Sequence, residues 1–192
     1  MIVSHDREKM LHALIYFIGA TKHAHTLKLF KLLNFLDFEH FRQTGFTVTG
    51  LEYSALPKGP VPMELWRELK NGVRADFAKA ITVVVEKDSV TDEVARRDLK
   101  PRVGFNPKLF SKRELAIMDR LVEFFHDTKG DDMSEFSHYR KMPWRKVFKN
   151  GEGENKSIPF ELAFESDPIV HDKPTIDPQE YDYRRTLLKG IG

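Results

Sequence analysis

The sequence predicts a mainly α fold of the α+β class: a compact helical domain with a small antiparallel sheet inserted between helices, plus a C-terminal extension. Three observations predict it. Apolar residues recur at helical spacing in several long stretches. Two short stretches, Thr47–Leu56 and Ala80–Glu86, are instead rich in β-branched and aromatic residues. From Asn150 onward, glycine, proline and acidic residues replace the helical pattern.

The first two predicted helices are Asp6–Thr21 and Thr26–Arg42. In the first helix the pattern turns Met10, Leu14, Phe17 and Ile18 inward. The second helix is apolar around nearly its whole circumference at its centre, which is typical of a helix buried on all sides. We therefore expect Thr26–Arg42 to be the central core helix.

The middle of the chain predicts the small sheet. Thr47–Leu56 is expected to form a strand or half of a hairpin, and the glycine and prolines of Pro57–Pro62 a rigid loop. For Gly59-Pro60 a purely conformational role is favoured over direct contact with a partner. The next segment, Met63–Gly72, is predicted as a third helix with Leu65, Trp66 and Leu69 packed inward.

Beyond the third helix the predicted elements are short. Ala80–Glu86 is expected to be a strand, and the charged residues 88–100 a solvated turn or short helix. Residues 102–105 are predicted as a further short strand. The sheet is therefore expected to combine 47–56, 81–86 and 102–105.

The stretch 110–148 carries the clearest local signals. Ser111 and Glu114 have the spacing of a capping box at a helix start, and an apolar stripe that includes Leu121 follows. Gly130 is expected to end this helix, and a short helix is expected to follow. Pro143 stands where proline is tolerated, at the first position of another helical turn.

Charge and composition divide the chain into a domain, residues 1–149, and an acidic extension, residues 150–192. Residues 150–180 hold eight carboxylates against two lysines, a net charge of −6. The apolar run Ile158–Phe164 is expected to dock, either closing the domain's own core or ordering against a partner. Asp177-Pro178 predicts the start of a final helix.

Several classes of protein are excluded or disfavoured. The chain contains no cysteine, so disulfide scaffolds and thiolate metal sites are excluded. No phosphate-binding, dinucleotide-binding or metalloprotease motif is present, and we expect no cofactor and no metal. No apolar run approaches the ~18 residues of a membrane span. We expect a soluble, cytoplasmic protein that does not bind membranes.

His138 is the best candidate for a catalytic histidine. It would act as a general base, with Asp37 or Glu135 as the carboxylate that orients it. The favoured interpretation is structural, because no nucleophile or set of oxyanion donors accompanies it. In that interpretation His138 holds the turn that leads to Pro143-Trp144.

Residues 139–149 interleave five basic residues with Tyr139, Trp144 and Phe148. Such a pattern can bind phosphates and stack on bases. A basic face that contacts the acidic segment following it is the favoured alternative, because the overall net charge of only +2 is unlike that of a dedicated nucleic-acid binder.

Three blocks of the chain resemble the SocA/Panacea antitoxin domain, a family of phage-associated proteins. These blocks are Lys28–Asp37, Gly50–Pro62 with its Gly59-Pro60-Val61, and Phe110–Trp144 with Ser137-His138 and Pro143-Trp144. They stand in the family's order.

The resemblance implies an antitoxin that neutralises its cognate toxin by direct protein–protein binding, or that delivers the toxin to a ClpXP-type protease. It implies no enzymatic activity. The alternative is a small His-dependent hydrolase or an enzyme that acts on nucleic acid.

The toxin is expected to contact two surfaces: the turn at 138–144 and the extension. Homo-oligomerisation is left open. The residues predicted to bind the partner are His138, Tyr139, Trp144, Arg145, Phe160 and Phe164.

Overall fold

A computed structural model describes residues 5–88, 91, 94–137, 142–169 and 176–189 of the chain. Helix α2 (Thr26–Thr44) forms the centre of the fold, because every residue from 28 to 43 is buried. Helix α1 (Asp6–Ala20) and helix α5 (Lys112–Phe125) pack against it. The predicted core helix is thereby confirmed.

The charged side chains of α2 are buried with partners. The ammonium of Lys28 donates to three backbone carbonyls, two of which end α5: those of Phe125 (2.8 Å) and His126 (3.1 Å). The ammonium of Lys31 donates to the carbonyl of Lys58 at 2.5 Å. Because a buried charge without partners is costly, these contacts allow a helix with charged residues to be enclosed on all sides.

The first hairpin consists of β1 (Tyr53–Leu56) and β2 (Gly59–Pro62) in antiparallel register. The predicted loop at Gly59–Pro62 is therefore wrong, since these residues form a strand. Pro60 and Pro62 are tolerated because their partners, Ala55 and Tyr53, direct backbone groups away from β2. Gly59 has a φ of 115°, which supports the predicted conformational role of this glycine.

Helix α3 (Met63–Asn71) and the short helix α4 (Ala75–Ala80) lead into the second hairpin, β3 (Ile81–Lys87) and β4 (Val94–Pro101). The turn or short helix predicted for 88–100 is wrong over residues 94–100, which belong to β4. The strand predicted at 102–105 is also wrong, since those residues form no strand. The two hairpins are separate sheets within the described ranges. β4 escaped prediction because it belongs to a solvated ribbon, in which Arg96 pairs with Glu86 across the strands at 3.1 Å.

The capping box at the start of α5 is confirmed. Glu114 accepts from the Ser111 amide at 2.6 Å, and the Ser111 hydroxyl accepts from the Glu114 amide at 3.2 Å. Lys9 of α1 also donates to Glu114 at 2.6 Å. Helix α6 (Gly130–Ser137) begins at Gly130, so the expectation that this glycine ends the preceding helix is wrong by several residues.

The described residues after α6 include helix α7 (Pro143–Phe148), a 3₁₀ helix at Phe160–Glu165 and helix α8 (Pro178–Lys189). The predicted start of the last helix is confirmed, with Asp177 accepting from the Gln179 amide at 3.0 Å. Together these elements confirm the mainly α fold with small antiparallel sheets. Of the described helices, none combines the length and apolar character needed to cross a bilayer.

Candidate partner-binding surface

Helix α7 anchors the predicted Pro-Trp turn to the first hairpin. Met142 is extended, and Pro143 then occupies the first helical position. The indole of Trp144 is only 3% exposed, stacks on Phe148 at 4.6 Å, and donates to the carbonyl of Leu56 at 2.9 Å. In the free protein Trp144 is therefore a structural anchor that positions α7 beside the hairpin turn.

The other predicted residues of this turn differ in position. Arg145 is half-buried on α7. His138 and Tyr139 lie outside the described residues. Lys146 donates to a carboxylate oxygen of Glu165 at 3.0 Å, which supports the predicted contact between the basic stretch and the acidic segment.

The extension begins by adding to the free edge of β1. The amide of Asn155 donates to the Ala55 carbonyl at 2.8 Å, and the Ala55 amide donates to the Lys156 carbonyl at 2.9 Å. The amide of Ile158 then donates to the carbonyl of Tyr53 at 2.8 Å. The start of the extension thus packs on its own domain along the edge of β1, where Ser157 forms an isolated β-bridge with Ser54.

Phe160 and Phe164 belong to an aromatic cluster on α2. The ring of Phe160 lies 4.6 Å from that of Phe38 and 5.4 Å from that of Phe41. The ring centroid of Phe41 lies 5.4 Å from that of Phe164 and 5.2 Å from that of Tyr181, and the centroids of Phe164 and Tyr181 are 5.2 Å apart. Both phenylalanines are half-buried, so one part of each ring holds the extension on the domain while the rest faces solvent.

A pocket of about 510 Å³ lies beside the turn of the first hairpin. We call it the hairpin pocket. Leu56 connects the two features, since it lines the pocket while its carbonyl accepts from Trp144. The pocket is lined by residues of the start of α2, the first hairpin, α3 and β4: Thr26, Leu27, Phe30, Leu56, Pro57, Lys58, Val61, Trp66, Leu69, Lys70, Val94, Arg96 and Arg97.

Trp66 forms a wall of this pocket, so its predicted place in the core is wrong. It is 38% exposed, whereas Leu65 and Leu69 on the same helix are buried. The sequence contained the signal: Leu65 and Leu69 are four residues apart and share a face, while Trp66 follows Leu65 by one residue and points about 100° away. The pocket itself could not be predicted, because its walls come from four separate elements.

Asp37, one of the carboxylates considered as a partner for His138, is fully buried and holds the segment before β1. It accepts from the amides of Val48 and Thr49, both at 2.8 Å, from the Tyr53 hydroxyl at 2.7 Å, and from the Thr49 hydroxyl. Burial raises the pKa of Asp37 to about 6, and the four donated hydrogen bonds oppose that rise. These contacts give Asp37 a structural role.

In the part of the chain that the structure describes, no three histidine, aspartate or glutamate side chains come together in a group able to hold a metal ion.

Residues 29–145 match the family model of the antitoxin SocA-like Panacea domain, which is more than half of the chain. The chain belongs to the Panacea domain family. The matched region runs from the first turn of α2 to the start of α7, and so includes the first hairpin, Trp144 and all of the hairpin pocket's lining except Thr26 and Leu27. No curated protein and no solved structure matches the chain.

The Panacea domain is thus completed by elements outside the matched residues. Helix α1 precedes it and packs on α2 and α5. The extension follows it, forms hydrogen bonds with the edge of β1 and packs its aromatic rings on α2. Family membership supports an antitoxin-type role and a protein partner for this chain.

Proposed function

We propose that this protein neutralises a cognate toxin by binding it directly. The observation that carries the proposal is the Panacea domain match over residues 29–145. A preformed surface loses less entropy on binding, and the hydrogen bond from Trp144 to the Leu56 carbonyl fixes the start of α7 beside the first hairpin.

The proposed contact surface has two parts. One is the turn at 138–144 with Arg145 of α7. The other is the extension, whose aromatic rings at Phe160 and Phe164 are half-buried and whose segment 150–180 carries a net charge of −6. An acidic surface favours encounter with basic proteins, while partly exposed aromatic rings prolong the complex.

The test begins with the open reading frame beside this gene, expressed with and without the protein. Arrested growth that the protein restores, together with co-purification of the two chains, is the expected result. The turn is basic where the extension is acidic, so Arg145→Glu is expected to weaken binding at least about tenfold by removing the counter-charge of the partner group that faces Arg145. Lys112→Glu, an exposed control on α5, is expected to change nothing.

The same assay separates the two mechanisms of neutralisation. If the protein blocks its toxin, growth returns in cells that lack ClpXP-type proteases and the toxin accumulates in the complex. If it delivers the toxin for degradation, rescue requires the protease and the toxin level falls. A folded protein that neither binds nor neutralises the neighbouring product would contradict the proposal.

A further inference from the structure

The hairpin pocket combines a buried apolar base with exposed apolar walls. Phe30, Val61 and Leu69 form the base and are each less than 8% exposed. Trp66 and Val94 stand above them at 38% and 40% exposure. Tryptophan in such a position is the residue type most often responsible for binding energy at protein interfaces.

The rim of the pocket is cationic. Lys58, Lys70, Arg96 and Arg97 line it, and no aspartate or glutamate among the residues that the structure describes does. Carboxylates pair with Arg96, but within the described residues none pairs with Lys58, Lys70 or Arg97. The pocket therefore presents apolar walls below a ring of positive charge.

Two contacts fix this arrangement before any ligand arrives. The ammonium of Lys70 lies 5.0 Å from the centre of the Trp66 ring, a cation–π contact that holds both side chains at the mouth. The buried ammonium of Lys31 donates to the carbonyl of Lys58 and so holds the hairpin turn that carries Lys58. A preformed site loses less conformational entropy when it binds.

We propose that the hairpin pocket binds an acidic peptide segment of the protein partner. The segment inserts one large apolar side chain against Trp66 and Val94, and its carboxylates lie against Lys58, Lys70 and Arg97. Charge complementarity selects this occupant, because a basic or neutral segment would leave the cations at the rim without counter-charges. The proposal rests on the proposed function only in taking the toxin as the source of the segment.

The experiment uses the full chain and a random-peptide library displayed on phage. Peptides enriched on the wild-type protein are sequenced, and their affinity is then measured for two variants of equal charge. Lys58→Glu/Lys70→Glu reverses the rim, whereas Lys108→Glu/Lys112→Glu reverses two exposed lysines that do not line the pocket. Fluorescence of Trp66 reports occupancy, with Trp66→Phe as the control for signal from buried Trp144.

Enriched peptides are expected to combine aspartate or glutamate with leucine, phenylalanine or tryptophan. They are expected to bind the rim variant at least about tenfold more weakly and the control variant as tightly as wild type. Enrichment without acidic residues, or equal losses in both variants, would overturn the proposal. The proposal would also be overturned if a thymidine oligonucleotide bound the wild-type protein and the control variant but not the rim variant, since the pocket would then bind nucleic acid.

The toxin assay, run with the same variants, separates this proposal from the proposed function. If the protein neutralises its toxin normally but selects no acidic peptides, the pocket proposal is refuted and the antitoxin role remains. Selection of acidic peptides by a protein that neutralises nothing leaves the pocket standing and refutes the antitoxin role.

Discussion

Removing the Asp37 carboxylate tests whether this buried side chain holds the segment that enters the first hairpin. Asp37→Ala leaves the amides of Val48 and Thr49 without their acceptor, and both residues are at most 3% exposed. A buried donor left unsatisfied costs about 1–3 kcal/mol. With two amides and two hydroxyl groups affected, we expect a loss of ~4–6 kcal/mol, a large part of the ~5–15 kcal/mol that stabilises a typical protein.

Asp37→Asn is the matched control. Its amide oxygen can still accept from both backbone amides, and its NH₂ group can donate to the hydroxyl oxygens of Thr49 and Tyr53, which also accept hydrogen bonds. We therefore expect a loss of only ~1–2 kcal/mol. Urea unfolding, followed by circular dichroism, measures both variants. A loss below ~1 kcal/mol in Asp37→Ala would show that the donors find other partners.

The same pair of proteins gives a pH test. Because burial raises the pKa of Asp37 to about 6, the folded state binds this proton more tightly than the unfolded state does. The contribution of Asp37 to stability therefore falls as the pH rises from about 4 to about 6, by up to ~3 kcal/mol at ~1.4 kcal/mol per pKa unit. The difference between wild type and Asp37→Asn isolates this contribution from other carboxylates. A difference that stays constant, or that grows in favour of wild type with rising pH, would refute the dominance of burial.

Four further predictions concern other parts of the fold. Gly153→Ala is expected to cost more than ~2 kcal/mol, measured by thermal melting, because the new Cβ would lie 1.8 Å from the carbonyl oxygen of Val147. Truncation after Asn150 is expected to abolish cooperative melting, and a truncated chain that melts like wild type would contradict the packing of the extension on β1. Burial alone would raise the pKa of Glu114, but the hydrogen bonds that Glu114 accepts outweigh burial, so the pKa is lowered in the folded protein. Ionised Glu114 therefore stabilises the fold above its unfolded-state pKa of about 4.3, and this stabilisation is lost on acidification. We expect the free energy of unfolding of Glu114→Gln to fall less steeply over the same pH range. His138→Ala is expected to cause no loss of enzymatic activity. If wild type turned over a substrate and the stably folded variant did not, the enzyme alternative would be favoured.

The sequence by itself determined the elements whose signals are local. The capping box of Ser111 and Glu114, the all-round apolar pattern of α2 and the proline at the start of α7 each depend on residues within a few turns of one another. Such signals do not depend on distant parts of the chain, and the family resemblance rested partly on the same stretches. The helical fold class followed from them.

Only the tertiary structure decided what depends on residues far apart in the chain. Gly59–Pro62 forms a strand on one edge of β1, while the extension, about a hundred residues later in the sequence, pairs with the backbone groups of Tyr53 and Ala55 on the other edge. Trp66 becomes a pocket wall because β4 and the first hairpin stand opposite it. Periodicity specifies which residues share a face of a helix or strand, but the neighbour that covers each face is set by long-range packing.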